Sequence, residues 1–341
     1  MNAPRSIVIV KLSAIGDVIH GIPTAVALKQ SFPDSTISWV VEGRSADVLA
    51  GHSAVDHLFR LPRGWLKSFQ QVLHLRQQLK SFQADVVIDL QGLLKSSVAT
   101  FLTGSRLRIG HAKPESREGA WIAYTDSIVS DSVHVVDRNL DLLHPLGVRK
   151  TAYGFDMPTW PVSQQRIGKW LSQLQSQAPP IIINPGAGWT SKRWPPDRFA
   201  TFAKALWQKH RVESLVVWGG SSEQKIAKDI VEKAGRGTTL APATTLQDLG
   251  ELCRKARLFI SGDTGPLHLA AAVGTPCVGL FGPVPAARNG PYGNRHIVIE
   301  PPLAVRPHWK DRKTDTKSMA AITVEQVLAA VESGLRRTNA A

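Results

Sequence analysis

Short runs of β-branched and aliphatic residues alternate along this chain with longer segments of helical periodicity. This alternation limits the possible folds more than any other feature. In the first half, Ser6–Val10 and Asp85–Asp89 are predicted strands, and helical patterns follow them over Asp17–Ser31 and Leu93–Leu102. Strands that alternate with helices in this way form parallel sheets covered by helices. The first half therefore predicts a doubly wound α/β domain.

The same alternation restarts after a stretch rich in proline, serine and glutamine. We interpret this stretch, from Met157 through Pro180, as a linker region with one helical piece. We predict two Rossmann-like domains that face each other across a central cleft, one over residues 1–160 and one over 178–320. A last helix over 321–338 carries apolar residues at helical spacing, and we expect it to pack back on the first domain.

Composition places the chain among soluble globular proteins. It has 341 residues, of which 43% are apolar and 20% charged, and its apolar runs are far shorter than a membrane span. The N-terminus leads directly into the first strand, which does not resemble a signal peptide. The two cysteines, Cys253 and Cys277, form neither a disulfide framework nor a metal cluster. We therefore expect a cytoplasmic protein.

The formal net charge of +14 bears on the choice of partner. Lys and Arg outnumber Asp and Glu by 17 to 14 in residues 1–160 and by 24 to 13 in residues 161–341. The excess contains neither a dense basic block nor an RNA-binding aromatic motif. The pattern favours an anionic small molecule or a lipid surface over nucleic acid.

The tripeptide Asp263-Thr264-Gly265 admits two interpretations. An aspartic protease would need a second Asp-Thr-Gly and β-rich surroundings, and neither is present. A strand that ends just before a helix start instead directs backbone N–H groups towards an anion. We favour this anion-binding turn, with Asp263 suited to sugar hydroxyls and His268 one helical turn away. A helix cap for Asp263 and a core position for His268 remain the alternatives.

Three further segments also follow predicted strands. Gly16-Asp17 starts the first helix, where Asp17 is either a cap or a general base. Asn184–Pro195 is a glycine-containing loop in which Lys192 could meet a pyrophosphate, and Glu223 begins a helix where it could bind ribose or act in a capping box.

Several catalytic motifs are absent from the sequence. The dinucleotide fingerprint Gly-x-Gly-x-x-Gly does not follow the first strand, which disfavours a nicotinamide-dependent oxidoreductase. Asp-x-Asp, His-Glu-x-x-His and Cys-x-x-Cys do not occur, so we expect chemistry without a metal or other cofactor.

Taken together, five segments resemble the ADP-heptose–lipopolysaccharide heptosyltransferases of glycosyltransferase family 9. They are Lys11–His20, Val87–Ser96, Asn184–Pro195, Trp218–Glu223 and Gly262–Pro283. Their order and spacing match along nearly the whole chain. Gln91-Gly-Leu-Leu-Lys-Ser and Arg117-Glu118 are most similar to the heptosyltransferase I branch.

The resemblance implies a GT-B architecture and inverting, metal-independent transfer of heptose from ADP-heptose to the Kdo of Kdo-lipid A. Such an enzyme would act in lipopolysaccharide inner-core synthesis, peripherally on the cytoplasmic face of the inner membrane. Two alternatives stay open. One is a family relative with another sugar donor or acceptor, and the other is a nucleotide-binding protein without transfer activity.

The resemblance also assigns residues. Asp17 matches the general base that deprotonates the acceptor hydroxyl. On the donor, Asp263 and His268 match residues at the heptose end. The diphosphate is matched by Lys192, Thr264 and Gly265. Glu223 matches the ribose contact, and Thr244 stands where a residue beside the adenine is expected. Ala187 and Gly188 stand where heptosyltransferase I has hydroxyl side chains, so phosphate contacts there would come from backbone N–H groups.

The acceptor carries carboxylates and phosphates, which predicts basic residues in the first domain as its partners. The candidates are Arg60, Arg63, Lys67, Lys95, Arg117 and Arg138. Solvated surface charges are the alternative explanation for this set. The predicted amphipathic helix Trp65–Phe82 also suits a membrane surface.

Overall fold

The computed structural model describes residues 3–149, 153–174 and 178–339, and its internal contacts divide the chain into two compact units. The first unit ends at Pro158 and the second begins at Thr159. Each contains a six-stranded, wholly parallel sheet flanked by helices. The predicted pair of doubly wound α/β domains is confirmed.

The first unit has the strand order β3-β2-β1-β4-β5-β6. Its elements are β1 Ser6–Val10, α1 Ile15–Ser31, β2 Thr36–Glu42, β3 His57–Leu61, α2 Phe69–Phe82, β4 Val86–Asp89, α3 Leu94–Leu102, β5 Leu107–His111, β6 Asp126–Ile128 and α4 Val135–Asp141. Val8 and Val10 pack under α2 and α3 on one face of the sheet. Ile7 and Ile9 alternate with them and are equally buried, as expected for a parallel sheet covered on both faces.

The predicted helix over Trp65–Phe82 is divided in the structure. A single 3₁₀ turn occupies Trp65–Lys67, and α2 starts only at Phe69. Ser68 separates the two because its hydroxyl oxygen accepts a hydrogen bond from the Gln71 N–H (3.4 Å), which caps α2.

The second unit has the strand order β12-β11-β10-β7-β8-β9. Its elements are α5 Pro161–Leu171, β7 Ile181–Asn184, α6 Pro196–His210, β8 Ser214–Val216, α7 Ser221–Ala234, β9 Thr238–Leu240, α8 Leu246–Arg254, β10 Leu258–Gly262, α9 Gly265–Ala272, β11 Cys277–Leu280, α10 Ala286–Asn289, β12 Ile297–Ile299 and α11 Val324–Asn339. Both cysteines are buried in this unit as free thiols.

The last helix, which we expected to pack back on the first domain, has its apolar stripe in the core of the second unit. Helix α11 packs against α6 and the strands β10, β11 and β12 of its own unit. Val327, Val331 and Leu335, which form its apolar stripe, are buried in the core of the second unit. The helix covers one face of the sheet that precedes it in the chain.

The stretch interpreted as a linker is largely part of the second unit. Helix α5 packs on α8, where the Arg166 guanidinium pairs with the buried carboxylate of Asp248. Just before α5, the Trp160 N–H donates to the buried Glu251 carboxylate (2.9 Å). Residues 175–177 of the predicted linker lie outside the described residues.

Candidate active site

The turn between β10 and α9 has the geometry of an anion-binding site. Thr264 caps α9, accepting a hydrogen bond from the Leu267 N–H (3.4 Å), and Gly265 is the first helical residue. The Asn184 amide donates to the hydroxyls of Ser261 (2.8 Å) and Thr264 (3.3 Å). The end of β7 thereby fixes the turn after β10, with the helix N-terminus at the carboxyl edge of the sheet.

Asp263 lies in this turn as a buried carboxylate between two basic side chains. Lys192 Nζ is 2.5 Å from one carboxylate oxygen, and His268 Nε2 is 3.2 Å from the other. Burial raises the pKa of Asp263, but the hydrogen bond and charge of His268 and the ammonium of Lys192 outweigh it, so the pKa is below its usual range. The structure thus brings together three of the predicted donor-site residues.

Glu223 and the loop after β7 are also in contact. A β-carbon on Gly186 would lie 2.3 Å from the Glu223 carboxylate carbon, so a larger residue there would displace the Glu223 carboxylate. The Glu223 carboxylate accepts a hydrogen bond from the Gly219 N–H (2.8 Å). The Ala187 carbonyl is held by the Arg193 guanidinium (2.9 and 3.1 Å), while Gly188 is exposed.

The predicted donor-binding residues follow neighbouring strands in a fixed order. Asp263 and Thr264 come after β10, the Ala187 loop after β7, Glu223 after β8, and Thr244 after β9. The four strands are adjacent in that order in the sheet. At about 4.8 Å per strand, the row spans about 14 Å along one edge.

Two further cations lie near this edge, and sequence reasoning did not identify them. The Lys192 ammonium is 4.5 Å from the centroid of the Trp189 ring, Lys313 Nζ is 5.2 Å from it and the Arg312 guanidinium 5.7 Å. Arg312 and Lys313 belong to a segment without helical or strand periodicity, so no pattern placed them near Lys192.

Asp17 lies in the first turn of α1, which follows β1 at the carboxyl edge of the other sheet. Its side chain is exposed, and one carboxylate oxygen accepts a hydrogen bond from the Ala14 N–H (3.0 Å). Asp17 thus caps its own helix, as the structural alternative expects. The exposure of the carboxylate also leaves it accessible for the proposed role as a base.

Gln91 fixes the turn that carries Asp17, a role that sequence reasoning missed. Its side-chain oxygen accepts from the N–H groups of Leu12 (2.7 Å) and Ser13 (3.4 Å). The Gln91 N–H in turn donates to the fully buried Asp89 carboxylate (2.8 Å). Burial raises the pKa of Asp89, although hydrogen bonds from the Gln91 and Gly92 amides and from side chains oppose the shift.

Four of the six predicted acceptor-binding residues are exposed basic side chains. Arg63 and Lys67 follow β3, and Arg117 follows β5, so they share the carboxyl edge with Asp17. Within the described residues no ion pair involves these three. Arg60, on β3, pairs with Asp47 (3.4 Å) while remaining half exposed.

The other two predicted residues are engaged in ion pairs. Lys95 Nζ is 2.5 Å from the carboxylate of the buried Glu42. Arg138 pairs with Glu115 and donates from Nε to the Ser132 carbonyl (2.6 Å). Lys95 and Arg138 therefore help to fix the loops of this edge.

The sequence model of one protein family covers most of the chain. The model described as glycosyltransferase family 9 (heptosyltransferase) matches residues 72–318. The chain belongs to glycosyltransferase family 9.

Characterised relatives match this glycosyltransferase over most of their length. Lipopolysaccharide core heptosyltransferase OpsX of Haemophilus influenzae is 28% identical over 307 residues, covering 87% of this chain and 85% of that protein. Lipopolysaccharide heptosyltransferase 1 of Pseudomonas aeruginosa is 29% identical over 311 residues, covering 85% and 82%.

Solved structures agree on the fold. A family 9 glycosyltransferase from Veillonella parvula superposes with a TM-score of 0.83 at 23% identity, covering 99% of both chains. The heptosyltransferase WaaC of E. coli, solved with ADP-2-deoxy-2-fluoro heptose, gives 0.76 at 24% identity, covering 96% of this chain and 99% of that one. The chain described here thus has the predicted GT-B architecture.

Metal-ligand clusters and membrane-spanning helices are both absent from the described residues. Across residues 3–149, 153–174 and 178–339, no group of three or more His, Cys, Asp or Glu side chains is placed to hold a metal ion. In the same ranges, no helix combines the length and apolar character needed to cross a membrane.

Proposed function

We propose that this family 9 enzyme transfers heptose from ADP-heptose to the Kdo of Kdo-lipid A, in the synthesis of the lipopolysaccharide inner core. The observation that carries the proposal is the row of groups along the second sheet. Strand order places the carboxylate–lysine–histidine cluster and the N-terminus of α9 together beside β10, with Glu223 after β8 and Thr244 after β9. This is also the order of sugar, diphosphate, ribose and adenine in an ADP-sugar. The relatives named as heptosyltransferases support the choice of sugar.

In this proposal the leaving ADP is stabilised without a metal. Negative charge grows on the diphosphate as the bond to the sugar breaks. Lys192 and the N–H groups at the start of α9 supply positive potential there, because both lie beside Asp263 at the carboxyl edge. Asp263 and His268 would bind hydroxyls of the heptose.

The acceptor hydroxyl requires a base, and we assign that role to Asp17. A positioned carboxylate contributes about 10²–10⁴-fold by removing the proton as the hydroxyl attacks. Attack on the face opposite the departing diphosphate inverts the anomeric carbon. Arg63, Lys67 and Arg117 are proposed to meet the acidic groups of the acceptor. Because that acceptor is a lipid, the enzyme would work peripherally at the cytoplasmic face of the inner membrane. Its partner would be a lipid and not a nucleic acid.

The test is incubation of the purified protein with ADP-heptose and Kdo-lipid A in the presence of a chelator. We expect a heptosylated lipid by mass spectrometry and ADP release only when both substrates are present. ADP binding without release in that mixture would indicate a nucleotide-binding protein. Transfer from a different nucleotide sugar, with none from ADP-heptose, would refute the proposed donor.

A further inference from the structure

Besides Leu66 (37% exposed), five apolar side chains in helices or a helical turn of the first unit are exposed. They are Phe69 (76% exposed), Leu73 (45%), Leu94 (50%), Phe101 (66%) and Ile122 (79%), and we call them the α2–α3 patch. Single exposed apolar residues are common on protein surfaces, whereas a contiguous group marks an interaction surface. The question is therefore whether the five are neighbours.

Helix α2 has two apolar faces. Leu75 and Leu79 are fully buried and belong to the core. Phe69 and Leu73, four residues apart, form a second stripe that faces solvent. The core requires only the first face, so packing within this unit does not account for Phe69 and Leu73.

Helix α3 continues the patch. Leu94 and Phe101 are seven residues apart and project from the side opposite the buried Ala99 and Thr100. Helix α3 contacts α2 on one side and, on the other, the 3₁₀ turn that carries Ile122. The patch therefore extends across three adjacent elements on one face of the sheet.

Basic side chains lie within the same surface. Arg76 and Lys80 follow Phe69 by seven and eleven residues, so they extend its stripe along α2. The Arg108 guanidinium is 5.9 Å from the centroid of the Phe101 ring. Residues 57–84 hold five Lys or Arg and no Asp or Glu. Glu118 is the acid beside α3, and its carboxylate accepts the Leu94 N–H (3.3 Å).

The patch also adjoins the acceptor edge of the first sheet. Helices α2 and α3 follow the parallel strands β3 and β4, so both start at the carboxyl edge, where Asp17 lies. Phe69 and Leu94 are the first residues of these helices. Any partner surface that binds the patch would therefore bring its outermost chemical groups to the carboxyl edge of the first sheet, where Asp17 lies.

We propose that the α2–α3 patch docks the enzyme on an anionic lipid bilayer, with the apolar side chains in the interface and the basic ones on lipid headgroups. Binding to a membrane interface depends on the burial of apolar side chains and on the attraction of basic side chains to anionic headgroups. The patch supplies both, because aromatic and aliphatic side chains lie beside Lys and Arg with few acids. The proposal rests on the proposed function only for its purpose, which is to bring Asp17 to a lipid acceptor.

The test is sedimentation of the full-length protein with vesicles that contain no acceptor. We expect binding to phosphatidylcholine–phosphatidylglycerol vesicles that weakens with salt, and much weaker binding to phosphatidylcholine alone. Joint replacement Phe69→Ser, Leu73→Ser and Phe101→Ser should lower the partition coefficient at least about tenfold. Arg76→Gln and Lys80→Gln should each lower it about fivefold. The matched control is Val162→Ser with Leu303→Ser, because these residues of the second unit are as exposed (78% and 79%) and should not matter.

Two results would overturn the proposal. One is equal vesicle binding by the wild type and the triple variant. The other is a triple variant that loses only self-association in analytical ultracentrifugation, which would make the patch an interface between copies of the chain.

Heptose transfer to an acceptor without its acyl chains separates the docking proposal from the proposed function. The triple variant should retain that transfer, while a wild type that binds vesicles but transfers no heptose would refute only the proposed function.

Discussion

Two carboxylates of this enzyme combine a structural contact with a proposed chemical role. Asp17 caps α1 through the Ala14 N–H while its side chain is exposed. Asp263 is buried between Lys192 and His268, so its ionised form depends on both. In each case the carboxylate is held by a bond whose loss would change stability as well as activity. Tests must therefore separate charge from hydrogen bonding.

Replacement of Asp17 by asparagine makes that separation. The Asn oxygen can still accept the Ala14 N–H, so stability should fall only by the lost interaction of the charge with the helix dipole, at most about 1 kcal/mol. Loss of the base should lower kcat about 10²–10⁴-fold with ADP affinity unchanged. Steady-state kinetics and calorimetric ADP titration provide the two measurements. Near wild-type kcat would show that Asp17 is only a cap.

Gln91 is a positioning residue for the same turn. In Gln91→Ala the amides of Leu12 and Ser13 lose their acceptor, which should cost about 1–2 kcal/mol of unfolding free energy. We expect kcat to fall about tenfold with the KM for ADP-heptose unchanged. Gln91→Glu should restore kcat, because a carboxylate oxygen accepts the same bonds. A loss of stability with unchanged kcat would indicate a purely structural role.

At the scale of elements, the site is built from the turns that follow parallel strands. Each donor-site segment leaves the carboxyl end of β7, β8, β9 or β10. The segment after β12 adds Arg312 and Lys313, whose charges approach Trp189 and Lys192 from elsewhere in the chain. This edge of the second sheet is therefore more positive than Lys192 alone would make it.

This charge predicts a role in donor binding. Arg312→Gln and Lys313→Gln should each raise the KM for ADP-heptose about fivefold, and the effect should shrink as salt increases. Lys310→Gln is the matched control, because Lys310 lies 5.6 Å from the ring of Trp309 instead. Initial rates at low and high salt measure the difference. Equal KM values in all three variants would refute the role.

The strands were predictable where both faces are buried. β1, β4, β7 and β10 consist of short apolar or β-branched runs that only a covered parallel sheet explains. β6 and β12 were not predicted because they are three-residue edge strands with partly exposed side chains. β5 was not predicted because Gly110 interrupts its pattern, and a β-carbon there would lie 2.3 Å from the Tyr124 ring.

The candidate site residues follow the same division. Asp17, Asp263 and Glu223 lie in strand-to-helix turns or in the first helical turn after them, which the local sequence pattern predicted. Gln91 and Arg312 act through contacts with residues about 80 and 120 positions away. Such contacts depend on strand order and loop packing, which leave no pattern in the neighbouring sequence from which they could be predicted.

For the whole molecule, each unit buries its own core and carries its own polar groups. In the first unit, burial lowers the pKa of His111 to about 4, and the nearby Lys11 ammonium adds to the shift. As the pH falls, His111 of the unfolded chain binds a proton at its ordinary pKa near 6.5, whereas His111 of the folded protein binds one only at lower pH. Stability from His111 is thus fully present above about pH 6.5 and is lost as the pH falls towards 4.

The expected slope is about 1.4 kcal/mol of unfolding free energy per pH unit for this one histidine. Urea unfolding between pH 7 and pH 4.5 should show the decline, and His111→Gln should reduce it. His74→Gln, a substitution at an exposed histidine of the same unit, is the matched control. An identical slope in His111→Gln would mean that other groups govern the acid sensitivity.

The strand order of the second sheet gives the donor site a built-in length. The predicted donor-binding residues follow four neighbouring strands, of which the outer two, β9 and β10, lie about 14 Å apart, and backbone hydrogen bonds fix that spacing. With its base near Thr244, a sugar nucleotide that has one phosphate fewer would stop short of Asp263. If the donor lies along this edge as proposed, the strand spacing alone would favour diphosphate over monophosphate donors, whatever the side chains contact on the sugar.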